Sequence, residues 1–142
     1  MSINVQAYDN YKRATVETAA PGKLLLMLYD GAIKNIDNAK KAINSKDMNT
    51  AHEQIIKAQD IILELIATLN MDYAIAKNLF SLYEYLHYQL VQANLNKDIK
   101  PLDEVKGFLV ELRETWEAAI KKAGAARVNP AVSLNQGLNV RG

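Results

Sequence analysis

Two histidines, His52 and His87, and no cysteine leave this chain few ways to do chemistry. A di-iron site in a helical bundle needs Glu-x-x-His on each of two helices and one more Glu from each of the other two, all facing inward. One such pair exists, Glu84 with His87, whereas the residue three before His52 is Asn49. On a helical wheel His87 falls at the margin of the apolar stripe and Glu84 further out, so two solvated side chains account for the pair better than a metal does. Pro21-Gly22-Lys23 would stand at a helix N-terminus, where an anion can bind, but a phosphate cradle needs several glycines and here there is one. Without a thiol, and with two separated histidines, no nucleophile is paired with a base by spacing. The expectation is a protein that is not an enzyme and needs no cofactor or metal.

The elements that would carry these residues are helical. Apolar residues recur at intervals of three and four along the chain, with no period-two alternation among them, so strands are not expected. Four segments carry the pattern. The first runs from about Pro21 to Ser45, with Leu25, Leu28, Ala32, Ile36, Ala39 and Ile43 in one stripe and proline suited to the first helical position. The second begins near Asp47, a candidate N-cap, and places Ala51, Ile55, Ala58, Ile62, Leu65 and Leu69 on a heptad seam. The third starts after Asp72, whose side chain could cap the first turn; its stripe is Ala76, Leu79, Tyr83, Leu86, Leu90 and Ala93, and it should end near Asn96. The fourth opens at Pro101, carries Leu102, Val105, Leu109, Leu112, Trp116 and Ala119, and finishes at Gly124; Gly107 weakens it slightly. Short connections between long amphipathic helices predict an all-α, antiparallel up-down four-helix bundle over 21–124. Residues 1–20 are expected to form an N-terminal arm or short helix. Residues 125–142 contain Asn, Pro, Gly and Ser without a stable apolar period and are expected to be a mobile tail.

Composition narrows the partners. The chain has 142 residues, 17 Lys plus Arg against 16 Asp plus Glu, and a formal charge of +1. Two of the cations, Arg127 and Arg141, lie beyond Gly124, and no Lys/Arg cluster provides the basic face that binding nucleic acid requires. The N-terminus lacks the basic start and apolar run of a secretory signal, and the longest fully apolar run, Leu24 to Tyr29, is far short of the roughly 20 residues that span a bilayer, so no membrane insertion is expected. The lack of cysteine fits a reducing, cytoplasmic setting.

More apolar surface is present than one seam uses. At about 100° per residue, Leu26, Tyr29 and Ile33 project roughly 60° to 120° from the first core stripe. The second helix repeats this with Ile56, Leu63 and Ile66, and the third with Phe80, Tyr88, Val91 and Leu95, while Tyr85 projects from its other side. Residues near the stripe, such as Ile66, Phe80 and Val91, can simply flank a core at least 100° wide. For Leu26, Ile33, Ile56, Leu63, Tyr85 and Tyr88, adjacent rows of large apolar groups point to an interface. Three occupants fit: a second copy in a homodimer, an amphipathic segment of another chain laid into grooves between helices, or the N-terminal arm through Tyr8, Tyr11 and Val16.

The run Val16-Glu-Thr-Ala-Ala-Pro-Gly-Lys-Leu-Leu-Leu-Met-Leu-Tyr-Asp-Gly-Ala-Ile33 resembles the N-terminal signature of the flagellin-specific export chaperones, the FliS family. So do Ala58-Gln-Asp-Ile-Ile62, Asn78-Leu-Phe-Ser-Leu-Tyr-Glu-Tyr85, Gln92-Ala-Asn-Leu-Asn-Lys-Asp98, and Leu112-Arg113 with Trp116; the likeness covers about Tyr8 to Lys121. It implies a cytoplasmic four-helix bundle that binds the disordered C-terminal segment of flagellin, prevents premature polymerisation and aids delivery to the flagellar export apparatus. It gives the surplus stripes a client, adds Asn94, and assigns Tyr8 and Val16 of the arm to the same contact. Where such proteins commonly have Ser before the helix-opening proline, this chain has Ala20, which removes a cap worth roughly 1 kcal/mol unless Thr18 substitutes. The alternative is a helical homodimeric interaction module without a client.

Overall fold

Among the described residues, the first three helices end where the turn backbone offers their last carbonyls another bond. The structure, a computed structural model, describes residues 21–125. Four helices fill this span: α1 (Pro21–Asn44), α2 (Met48–Ala67), α3 (Ala74–Asn96) and α4 (Ile99–Ala125). The N-terminal arm and the C-terminal tail lie outside the described residues, save Ala125, the last residue of α4.

Two of the three connections share one device. After α1, Lys46 takes a left-handed conformation (φ 62°), and after α3, Lys97 does the same (φ 50°). The following amides reach back to the helix they leave, Asp47 N–H to Ala42 O at 2.8 Å and Asp98 N–H to Ala93 O at 3.1 Å. This satisfies carbonyls that the helix end would otherwise leave bare. The next side chain then starts the next helix: Asp47 accepts from Thr50 N–H at 3.1 Å, and Asp98 from Lys100 N–H at 3.0 Å. Asp47 is thus the cap its position predicts, and Thr50, through its side chain first and its backbone amide second, holds that carboxyl below its ordinary value.

The other two starts differ from expectation. Helix α4 begins at Ile99, two residues before Pro101, which sits in the first turn where backbone N–H groups have no helical partner to lose. Helix α3 has Tyr73, not Asp72, at its N-cap, with no side-chain cap bond. Asp72 stands one residue too early; its N–H donates to Asn70 Oδ1 at 3.0 Å within the loop.

The helices pack in ring order, α1 on α2, α2 on α3, α3 on α4 and α4 back on α1. Three cross-links along the closing seam fix its sense: Lys40 with Asp103 at 2.5 Å, Lys106 with Asp37 at 2.8 Å, and Arg113 with Asp30. Numbers fall on α1 as they rise on α4, so these helices are antiparallel. The core is the set of stripes read from the sequence, with Ile36, Ile55, Ile62, Leu65, Leu86, Leu90, Leu102 and Leu109 fully buried. Burying one such side chain contributes about 1.5–3 kcal/mol. Ile43, Leu69 and Leu112 are partly buried and pack against that core.

One polar group of contacts is inside it. The hydroxyls of Tyr29 and Tyr83 share a hydrogen bond, and Trp116 Nε1–H donates to Tyr29 at 3.0 Å. Among the described residues no buried side-chain polar atom lacks a partner. Tyr29 was expected on the exposed stripe; it is instead fully buried. Its ring extends the wide apolar stripe, and its polar tip is tolerated inside because two partners meet it there.

Candidate partner-binding surface

Side chains that remain large, apolar and wet are concentrated on α2 and α3. Leu63 is 49% exposed, Tyr85 41%, Tyr88 56% and Leu95 73%; Met48 and Met71 are exposed as well. The helical period places them. On α2, His52, Ile56 and Leu63 follow one another at four and seven residues, along one row. His52 Nδ1 lies 2.9 Å from Asn94 Nδ2 on α3, which turns this row toward α3. On α3 the facing row is His87, Val91 and Asn94, with Tyr88 and Leu95 on its outer rim. Between the two rows Ile56, His87, Val91 and Asn94 are half-buried.

Asn94 ties the two rows together at one end. Its Oδ1 accepts from Lys97 Nζ at 2.8 Å while its amide meets His52, so this one side chain joins α2, α3 and the turn into α4.

A second cluster lies on the α3–α4 side. Tyr85 O–H donates to the Glu104 carboxylate at 2.8 Å, Gln89 Nε2 donates to the same group at 2.6 Å, and the Tyr85 ring meets Phe108 edge-on with centroids 6.5 Å apart. Donation to that carboxylate pushes the Tyr85 phenol above its ordinary value. The ring stays partly wet while its tip is held, so it is presented in one orientation.

The expected contact residues therefore divide. Leu63, Tyr85 and Tyr88 are exposed; Ile56 and Asn94 are half-buried between those rows. Leu26 and Ile33 are partly buried against the core on α1, and Tyr29 is sealed within it, so the bundle as described does not present Tyr29 to a partner. Tyr8 and Val16 lie outside the described residues. Sequence reading missed Met48, Met71 and the Glu104–Gln89–Phe108 setting of Tyr85. The methionines fall at a helix start and in a loop, where no period marks them, and the cluster forms only when two helices are brought side by side. Glu84 is exposed and His87 half-buried, and among the described residues no three His, Asp or Glu side chains gather as metal ligands would. None of the described helices is long and apolar enough to cross a membrane.

Comparison with known proteins gives one consistent answer. A family described as "Flagellar protein FliS" matches residues 4–123. The chain is 42% identical over 114 residues to the flagellar secretion chaperone FliS of Bacillus subtilis (strain 168), covering 80% of this chain and 86% of that protein. It is 35% identical over 123 residues to the flagellar secretion chaperone FliS of Salmonella typhimurium, covering 84% and 91% respectively. It is 34% identical over 113 residues to that of Vibrio cholerae, covering 75% and 83%.

Proposed function

The chain belongs to the FliS family of flagellar proteins, and on that premise we propose that it is a cytoplasmic export chaperone that holds the C-terminal segment of flagellin until export. The observation that supports this most is the row of wet apolar side chains on α2 and α3, Leu63, Tyr88 and Leu95, which a folded bundle leaves uncovered.

A client that is disordered beforehand can lay apolar side chains onto the α2–α3 face and continue around α3 to Tyr85. Such coupled folding and binding buries on the order of 1,000–3,000 Å² and loses roughly 2–5 kcal/mol of the gross interaction to ordering. Moderate affinity from a large contact suits a chaperone, since the client has to be given up to the export apparatus. Covering the client's apolar segment also removes the surface through which filament subunits would join. The arm, with Tyr8 and Val16, takes part in the same contact by likeness to the family.

Titration of the full chain with a peptide of the flagellin C-terminus should give heat at 1:1 stoichiometry and added helical circular dichroism. An absence of heat at micromolar concentrations overturns the reading. Sedimentation of the protein alone, at several concentrations, separates it from the homodimer: a tight dimer that excludes the peptide supports the latter.

A further inference from the structure

The face shared by α2 and α3 is not apolar throughout, because two polar rungs cross it. The first is His52 with Asn94, where the Asn94 amide meets His52 Nδ1 at 2.9 Å and its Oδ1 accepts from Lys97 Nζ at 2.8 Å. That contact joins the start of α2 to the end of α3, so the two helices are antiparallel and their facing residues can be counted from it. Seven residues rise about 10.5 Å and return a helix to within about 20° of the same face. Seven on from His52 is Gln59, and seven back from Asn94 is His87. The second rung is therefore Gln59 opposite His87.

The rungs differ in what they leave unused. Asn94 already engages both its carbonyl and its amide within the bundle. Gln59 and His87 are half-buried, and among the described residues neither side chain has a hydrogen-bonding partner. Water serves them while the face is open. Ile56 and Leu63 lie one turn to either side of Gln59, and Val91 one turn beyond His87. A partner laid on these apolar side chains covers the rung as well and strips that water away. Each polar group left unpaired on covering then costs about tenfold or more in affinity.

Two constraints define what the partner brings to this point. A carboxamide and an imidazole facing each other offer donors and acceptors together, so the matching group must both donate and accept. It must also be uncharged. Asp60, beside Gln59, and Glu84, one turn before His87, are exposed acids that oppose an anion. A cation drawn to them stays at the wet rim, because moving it among Ile56, Leu63 and Val91 strips its hydration.

We propose that Gln59 and His87 are specificity-determining residues of the α2–α3 face, selecting a client segment that places a carboxamide or hydroxyl side chain (Asn, Gln, Ser or Thr) between its apolar anchors. The inference rests on the reading of this face as the client surface, and it adds a register to that reading. The apolar residues give the client area to cover, and the polar rung decides where along it the client stops.

The full-length protein carrying Gln59→Leu with His87→Leu presents a more apolar face, yet it should bind a flagellin C-terminal peptide about tenfold or more weakly in calorimetry, with helical circular dichroism unchanged. His87→Gln, which keeps a donor and an acceptor, should stay within about threefold of the parent. Replacing each Asn, Gln, Ser and Thr of the peptide by Ala in turn should reveal one position whose loss costs about tenfold against the parent protein and less than about twofold against the double variant. Should the double variant lose helicity, Gln59→Leu and His87→Leu taken singly make the same comparison. Equal or tighter binding by the apolar variants, or a peptide with no such coupled position, overturns this inference and leaves the client reading standing. A parent protein that does not bind the peptide overturns both.

Discussion

At the scale of single residues, the informative feature is the buried Tyr29–Tyr83–Trp116 contact. Tyr83 and Trp116 were legible as core from their period; Tyr29 was not, because the wheel places it at the stripe's edge and only the meeting of three helices makes room for its hydroxyl. The three side chains are not equivalent. Tyr29 accepts from Trp116 and also bonds Tyr83, so Tyr29→Phe leaves two buried polar groups unpaired, at about 1–3 kcal/mol each. Tyr83→Phe breaks one bond and leaves Trp116 paired, so its cost should be about half; urea unfolding midpoints give the order. Burial also sets a pH limit. It raises the Tyr29 phenol well above its ordinary value and that of Tyr83 to about 12. The folded state then holds these protons more tightly than the unfolded chain, whose phenols titrate near 10. Stability should be level up to about pH 10 and fall from there to pH 12, with tyrosinate absorbance of this pair appearing only as helicity is lost.

At the scale of elements, helix existence and core faces could be read from period, and ends could not be read equally well. Asp47 caps α2 as its position suggests, but Asp72 is one residue early and Pro101 two residues inside α4. The reason is that helix ends are fixed by turn backbone as much as by cap chemistry, and Lys46 and Lys97 give no hint in their type of the left-handed conformation they adopt. Glycines inside helices show a similar dependence on surroundings. A methyl at Gly107 meets nothing within 4 Å, whereas one at Gly22 would come within 2.8 Å of Ile120 across the α1–α4 contact. Gly107→Ala should therefore stabilise by about 0.5–1 kcal/mol, and Gly22→Ala should destabilise by about 1–3 kcal/mol as Ile120 is displaced. Thermal midpoints of the two variants, moving in opposite directions, test this.

At the scale of the whole molecule the bundle has two unlike sides. The α1–α4 seam is bridged by Lys40–Asp103, Lys106–Asp37 and Arg113–Asp30, while α3 carries only Lys77 and Glu84 among its charged residues. That asymmetry was present in the sequence as an uneven distribution of charge, but which apolar side chains stay wet depended on how neighbouring helices flank them: Leu26 and Ile33 pack partly buried against the core, and Leu63, Tyr85 and Tyr88 stay exposed. Exposed ion pairs contribute about 0–1 kcal/mol each, so Arg113→Ala should lower stability by less than about 1 kcal/mol and leave client binding unchanged. Leu63→Ala and Tyr88→Ala should do the reverse, weakening binding of a flagellin C-terminal peptide at least tenfold with little change in unfolding midpoint. Calorimetry and denaturation on the same three variants distinguish the sides.

The matched Lys-Asp turns have a bearing on how the chain arrives at this shape. Two of its three reversals are closed by bonds spanning five residues or fewer, between Ala42 and Asp47 and between Ala93 and Asp98, whereas the reversal from α2 to α3 takes the longer way through Asn70 and Tyr73. Each tight reversal sets its two helices antiparallel through local bonds, so little loop-closure entropy falls on it, and most of that cost falls on bringing the two pairs together, like the covers of a book.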